Sequence, residues 1–383
     1  MSEQPSPVDP DGLLEYSVVF TERSLNHMSA AFQTVMREIS AGLREVYQAD
    51  GVAVIPGGGT FAMEAVARQF AGNARCLVIR NGWFSYRWTQ ILEAGGIPAD
   101  CEVLKARRQG HATDAALAPA PLDEAVAHIR SHRPDVVFAP HVETSAGILL
   151  PDDYIQALAE ATHAAGGLLV LDCVASGTLW VDMRTLGVDV LISAPQKGWS
   201  ASPCAGLVML GDRALTRLAE TRSSSFACDL GRWLAIMRAY EDGGHAYHAT
   251  LPTDALRMFR DAMHETRRFG LELARERLVT LGRAARGLLA QYGHASVAAE
   301  GFEAPGVIVC HTRDEALSTG RAFAGLGLQI AAGVPLMCDE PAGYRSFRIG
   351  LFGLDKLQHP ERTLARLEHA LATLASTDAA SSA

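Results

Sequence analysis

LLVLDCVASG at positions 168–177 and VDVLISAPQKG at 188–198 carry the reading of the fold. Each opens with an unbroken apolar run of strand length, apolar on both faces, as a strand buried within a parallel sheet must be. Asp172 ends the first run and Lys197 stands five residues beyond the second, so both are expected at the carboxyl edge of one sheet, where open α/β folds bind ligands. Working outward, VAVI (52–55), CLVI (76–79), VVFA (136–139) and GLVML (206–210) repeat the strand pattern. Helices are expected between them. One runs from Phe61 to Phe70 and ends at Gly72; another starts with Asp152 and Asp153 as caps, runs through His163 and ends at Gly166-Gly167. This βαβ alternation predicts a doubly wound α/β core around a mostly parallel sheet.

After Pro252 the texture changes to a charged helical stretch from Asp254 to about Gln291, rich in Arg, Leu and Ala. GVIVCH (306–311) and YRSFRIG (344–350) then flank a helical Asp314 to Leu326, an α+β pattern, and a last helix is expected from Pro360 to about Leu374. A chain of 383 residues is too long for one compact layer, so two unequal domains with a cleft are expected. The predicted division is a tail over 1–15, a large α/β domain over 16–255, a bridging helix with a small α+β domain over 256–375, and a tail over 376–383.

Bulk composition narrows the partners. With 48% hydrophobic and 20% charged residues the chain can bury a full core without disulfide or metal support. A net charge of −9 lacks the basic face that nucleic acid or an anionic membrane requires, so the expected ligand is a small molecule. MSEQPSPVDPDG at the start has no basic stretch leading into an apolar run, and no apolar run approaches the roughly 20 residues of a membrane span. The seven cysteines, at 76, 101, 173, 204, 228, 310 and 338, form no C-x-x-C pair, which suits a reducing, cytoplasmic setting.

Three features carry chemistry. Lys197 lies in SAPQKGWSASPCAG, which is apolar, small and low in charge, unlike a solvated loop. A pyridoxal enzyme needs a lysine to bind its cofactor covalently and a carboxylate beside the pyridine nitrogen to keep it protonated; Lys197 and Asp172 are of these types. Asp172 taken alone equally suits a helix cap. PGGGTFAMEAVARQF (56–70) places glycines and Thr60 at a strand-to-helix turn whose amides can hold a phosphate, although by itself it also reads as a tight turn. It is neither a Walker A loop nor a dinucleotide fingerprint.

Together with GGTFAMEA (58–65), NGWFSYR (81–87), HVETSAG (141–147), LDCVASG (171–177), SAPQKG (193–198), YHATLP (247–252) and FRIGLFG (347–353), these features resemble the class V aminotransferases, within the fold type I pyridoxal-phosphate enzymes. The resemblance runs from about residue 30 to 370. It implies pyridoxal 5′-phosphate as cofactor, Lys197 as the Schiff-base lysine and Asp172 as partner of the pyridine nitrogen. Gly58, Gly59, Thr60 and Gln196 would hold the phosphate, Phe84 would stack on the ring, Thr144 would lie near the phenolic oxygen, and Val174 would pack against the ring. Tyr247 and Thr250 match residues that reach the phosphate of the neighbouring subunit, which implies a homodimer with shared sites. Arg348, in FRIG, matches the arginine that grips the substrate carboxylate through two parallel hydrogen bonds.

The implied reaction moves an amino group from an amino acid or related amine to a small keto acid such as glyoxylate or pyruvate, with Lys197 as anchor and general base. Three positions depart from the family pattern: VVFTERSLNHMS (18–29) replaces a Gly-Pro-rich opening, Pro195 stands where a small or hydroxyl residue is common, and Gly58 stands where a hydroxyl often serves the phosphate. Two other readings remain. One is a lyase or cysteine desulfurase using Cys338, against which stand Gln196 and Phe84 where desulfurases carry histidines. The other is a catalytically silent binding protein, against which stands the presence of both Lys197 and Asp172.

Overall fold

The computed structural model describes residues 8–381, with side chains described through residue 376. Its central sheet has seven strands: β1 (Gly51–Pro56), β2 (Arg75–Arg80), β3 (Asp100–Lys105), β4 (Val136–Pro140), β5 (Leu168–Asp172), β6 (Val190–Ser193) and β7 (Ala205–Leu210). Their order across the sheet is β1-β7-β6-β5-β4-β2-β3. All neighbours pair in parallel except β7, which runs antiparallel to both β1 and β6. The six apolar runs of the sequence are all strands. The seventh, β3 (DCEVLK), lies at the sheet edge with alternating polar residues, so it carries no continuous apolar run. β7 turns back because no helix fits between Ser193 and Ala205, and a parallel return needs a longer crossover.

Helices α1 (Ala30–Tyr47), α2 (Gly59–Phe70), α3 (Trp83–Gly95), α4 (Leu122–His132) and α5 (Asp152–Ala165) belong to this layered half. Pro151, not Asp152 or Asp153, is the N-cap of α5, and the two aspartates occupy its first turn, where they complement the helix dipole. The single helix expected over Asp254 to Gln291 is two, α6 (Thr253–Phe269) and α7 (Leu271–Gln291). Gly270 divides them at φ +104, its amide donating to Thr266 O and Arg267 O as a helix terminator.

The second sheet joins β8 (Val307–His311), β9 (Ala331–Ala332) and β10 (Ser346–Gly350) in the order β8-β10-β9, all antiparallel. The helix expected from Asp314 to Leu326 is two single turns, Glu315–Ser318 and Arg321–Ala324, interrupted at Gly320 with φ +79. α8 (Pro360–Ser381) continues past the expected end near Leu374 into the segment read as a tail, since its alanines favour helix. One apolar core gathers buried residues from Leu25 to Met263, a second from Ala274 to Leu371, and a smaller one between them includes Val142, Ala175, Val307 and Cys338. Among the described residues no helix is long and apolar enough to cross a membrane.

Candidate active site

Asp172 closes β5 in register with Ile192 of the parallel strand β6, so the loop that follows β6 brings Lys197 to the same sheet edge. The two loops are locked together. A Cβ on Gly198 would stand 2.1 Å from Gly177 O, so only glycine allows this approach. Trp199, fully buried, packs on Trp180 with ring centroids 4.6 Å apart, and Ser200 Oγ accepts from the Leu354 amide at 2.6 Å. The lysine loop is therefore anchored directly after Lys197.

Between the sheet edge and the second sheet lies a cleft of about 410 Å³, within the usual range for small-molecule sites. Gly59, Thr60, Phe84, Thr144, Asp172, Val174, Gln196, Lys197 and Arg348 all line it. Nine residues named from sequence thus meet in one cavity. Gly58 stands just behind as N-cap of α2, extended at φ −166, and a Cβ there would meet nothing within 4 Å. Gly59 is different: a Cβ would lie 2.8 Å from Val174 Cγ2, so glycine is required for α2 to sit this close to the β5 loop. No residue of 18–29 lines the cleft. Tyr247 and Thr250 lie outside it, exposed and hydrogen-bonded to each other at 3.1 Å.

Electrostatics follow from burial. Asp172 is buried, and its carboxyl is pushed up to about 6 by desolvation, against the opposing hydrogen bond from the Val174 amide to Oδ1 at 2.9 Å. Burial, reinforced by the Arg348 charge, holds Lys197 below the ordinary lysine range. Its Nζ lies 4.8 Å from the centre of the Phe352 ring. Arg348 sits on β10, its Nε bonded to Ala332 O at 2.8 Å and its guanidinium 5.6 Å from the Phe84 ring centre.

Two side chains that sequence reading did not single out prove central. Arg87 lines the cleft, donates to Thr60 Oγ1 at 2.9 Å, and stands 5.2 Å from the Phe84 ring centre. Glu143, fully buried, accepts from the amides of Phe84 (3.2 Å), Ser85 (2.9 Å) and Ser145 (3.0 Å) and from the hydroxyls of Ser85 (2.6 Å) and Ser145 (2.7 Å). These five bonds offset the cost of burying the carboxylate and place it at the start of α3, where it complements the helix dipole. Gly82 leaves room for it, since a Cβ would stand 2.1 Å from Ser145 Oγ. Glu143 thereby fixes both Phe84 and the Thr144 loop. Its partners are up to 59 residues away, so only the pairing of HVETSAG with NGWFSYR in space reveals it.

The cleft fits pyridoxal phosphate. Phe61 and Ala62 amides close back on Gly58 O, while among the described residues the Gly59 and Thr60 amides at the start of α2 have no backbone acceptor and suit a phosphate. Gln196 Oε1 is a buried polar atom without a hydrogen-bond partner, and its amide, turned over, would present donors to the same anion. A buried carboxylate with a raised pKa calls for a cationic N–H, which a protonated pyridine supplies.

Comparison with known proteins agrees with this chemistry. Residues 12–318 match the family described as aminotransferase class-V. The chain is 29% identical over 366 residues to 2-aminoethylphosphonate–pyruvate transaminase 2 of Paraburkholderia xenovorans, covering 92% of each chain. It is 29% identical over 256 residues to the alanine–glyoxylate aminotransferase of Rattus norvegicus, covering 65% of this chain and 58% of that one. In fold it is similar to the crystal structure of an alanine–glyoxylate aminotransferase from Nostoc, with TM-score 0.75, 24% identity and coverage of 91% and 89%. With the match spanning most of its length and the cofactor cleft formed, the chain belongs to the class V aminotransferase family and is a pyridoxal-phosphate-dependent transaminase of fold type I.

Proposed function

We propose that this transaminase moves the amino group of a small amino acid or related amine to a small keto acid such as glyoxylate or pyruvate, with Lys197 as cofactor anchor and proton carrier. The observation that carries this reading is the convergence of Lys197, Asp172 and Arg348 on one cleft. Burial, reinforced by the Arg348 charge, shifts Lys197 toward its neutral amine, the form that can take the proton from the substrate's α-carbon. Bound pyridoxal phosphate supplies an electron sink for the charge left when that proton departs. Gly58, Gly59, Thr60 and Gln196 would hold its phosphate, with Arg87 adding positive charge beside Thr60, Asp172 would pair with the pyridine nitrogen, and Phe84, Val174 and Thr144 would line the ring. Arg348 keeps its Nη groups free for a substrate carboxylate, since Nε alone is engaged by Ala332 O.

A donor screen against glyoxylate and pyruvate, following cofactor absorbance through each half-reaction, tests the assignment. Cys338→Ser is its second arm. Cys338 is buried outside the cleft, its thiol close to Arg80 O at 3.4 Å and pushed up to about 12 by burial and by the Glu143 and Glu340 charges, so it is a poor nucleophile. The variant is expected to transaminate within a few-fold of the parent. Sulfide release from cysteine that vanishes in the variant, with no keto acid from any donor, would make the enzyme a desulfurase instead.

Arg348→Ala is expected to raise KM for carboxylate substrates by about 10–100-fold while cofactor content stays unchanged, in line with loss of a charged bidentate bond of roughly 1.5–3 kcal/mol. Unchanged constants for every substrate would move the carboxylate site elsewhere.

A homodimer with shared sites belongs to the same proposal. It is supported by the exposure of Phe61, Phe226 and Tyr247 at 51%, 79% and 55%, large apolar surfaces that a second subunit would cover. Tyr247 and Thr250 then reach the partner's phosphate site. A fully active monomer in light scattering would sink this part. A division into a large and a small domain is supported by the two separate apolar cores, the first of which runs on to Met263, past the boundary expected at 255, while the second begins at Ala274; a reducing, cytoplasmic setting is supported by the unpaired state of all seven cysteines.

A further inference from the structure

Far from the cofactor cleft, Glu102 of β3 faces His128 and His132, one turn apart on α4. One ligand atom from each of the three lies within 4.8 Å of the other two. His132 Nε2 is 3.8 Å from Glu102 Oε1, and His128 Nε2 touches Glu102 Oε2. His128 Nε2 is shielded from solvent, with that carboxylate oxygen as its neighbour. The imidazoles stack with centroids 4.0 Å apart and planes 19° apart.

We propose that Glu102, His128 and His132 form a site for one divalent transition ion of the zinc type, with solvent completing the coordination. The neighbours of His132 accommodate a metal-binding tautomer. Its Nδ1 lies 3.0 Å from His128 O, which only accepts, and 2.8 Å from Ser131 Oγ, whose own hydrogen goes to the same carbonyl at 3.0 Å. With its proton on Nδ1 and donated to His128 O, the ring presents its Nε2 lone pair toward Glu102, the arrangement in which a second hydrogen bond orients a metal-bound histidine. Ligand atoms around a tetrahedral zinc, each about 2.0–2.2 Å from it, stand roughly 3.4 Å apart, so side-chain rotation of about 1 Å closes the present arrangement. Both histidines lie toward the carboxyl end of α4, where the helix dipole favours a cation. His132 is 51% exposed, which leaves a path for the ion. The ion would clamp the outer strand β3, which ends the sheet with an unpaired edge, to the helix above it.

Calorimetric titration of the untagged, cofactor-loaded full chain with zinc chloride, and separately with magnesium chloride, tests the site. One zinc per chain is expected, with little response to magnesium because two imidazole ligands select the softer ion. His128→Ala and His132→Ala should each weaken zinc binding by more than about tenfold, and Glu102→Gln, which preserves shape, should weaken it as well. Transaminase activity should remain at the parent level in all three, since none lines the cleft. Zinc should raise the melting temperature of the parent by roughly 2–5 °C and leave the His128→Ala/His132→Ala double variant unmoved. Absence of saturable zinc binding in the parent, unchanged binding in the double variant, or magnesium bound as tightly as zinc would each overturn the proposal.

Discussion

Lys197→Ala is expected to lose the borohydride-reducible lysine adduct and to lower turnover by about 10³-fold or more, because on the proposed reading one side chain would serve as both anchor and proton carrier. The loop around Lys197 is held by buried Trp199, by the Gly177–Gly198 approach and by the Ser200 to Leu354 bond, none of which involves the lysine side chain. The variant should therefore fold and still bind cofactor noncovalently through the α2 turn. Added methylamine, which supplies a free base, should restore a small part of the proton transfer. An adduct on another lysine, located by peptide mapping after reduction, would displace Lys197 from its role.

Asp172→Asn separates stability from activity, with opposite signs. In the protein without cofactor the Asp172 carboxyl is pushed up to about 6, against about 3.9 in an unfolded chain. Below pH 4 both states hold the proton and the group contributes nothing. As pH rises through this window the unfolded chain releases its proton first, so the folded state is disfavoured, by about 1–2 kcal/mol at pH 5 and about 3 kcal/mol at pH 8. Asparagine carries no such charge and keeps an oxygen for the Val174 amide. The variant apoenzyme is thus expected to be the more stable in urea at pH 8, with a gap that narrows toward pH 5. With cofactor bound the order is expected to reverse, since on the proposed reading the carboxylate would then face a cationic ring nitrogen, and activity is expected to fall by about 10²-fold or more as the sink weakens. Near-parental turnover, or apoenzyme stabilities that do not diverge with pH, would return Asp172 to a capping role.

Much of this was legible along the chain because it depends on local pattern. Strands buried on both faces must be apolar throughout, so six of the seven central strands could be read directly, and the residues that follow them fall at one edge by the geometry of parallel pairing. That placed Asp172, Lys197 and the glycine turn before α2 in the same neighbourhood, and the resemblance extended the set to Phe84, Thr144, Val174, Gln196 and Arg348. Edge strand β3 escaped because one side of it faces solvent and its pattern is mixed. The break at Gly270 escaped because a lone glycine within a helical pattern carries a cost of only about 1 kcal/mol and does not by itself announce a positive φ.

What only the tertiary structure decided is which side chains become neighbours across long separations. Glu143 meets the start of α3, Arg87 meets Thr60, Cys338 is sealed behind Arg80, and Glu102 meets two histidines on α4. None of these pairings leaves a trace in spacing or periodicity. Sequence by itself determined the fold class, through strand periodicity, and, through the resemblance of its motifs to the class V aminotransferases, implied the cofactor chemistry and the candidates for it; the charge state, reach and shielding of each group are set by burial and by partners that arrive only when the sheet closes, and so they belong to the folded molecule.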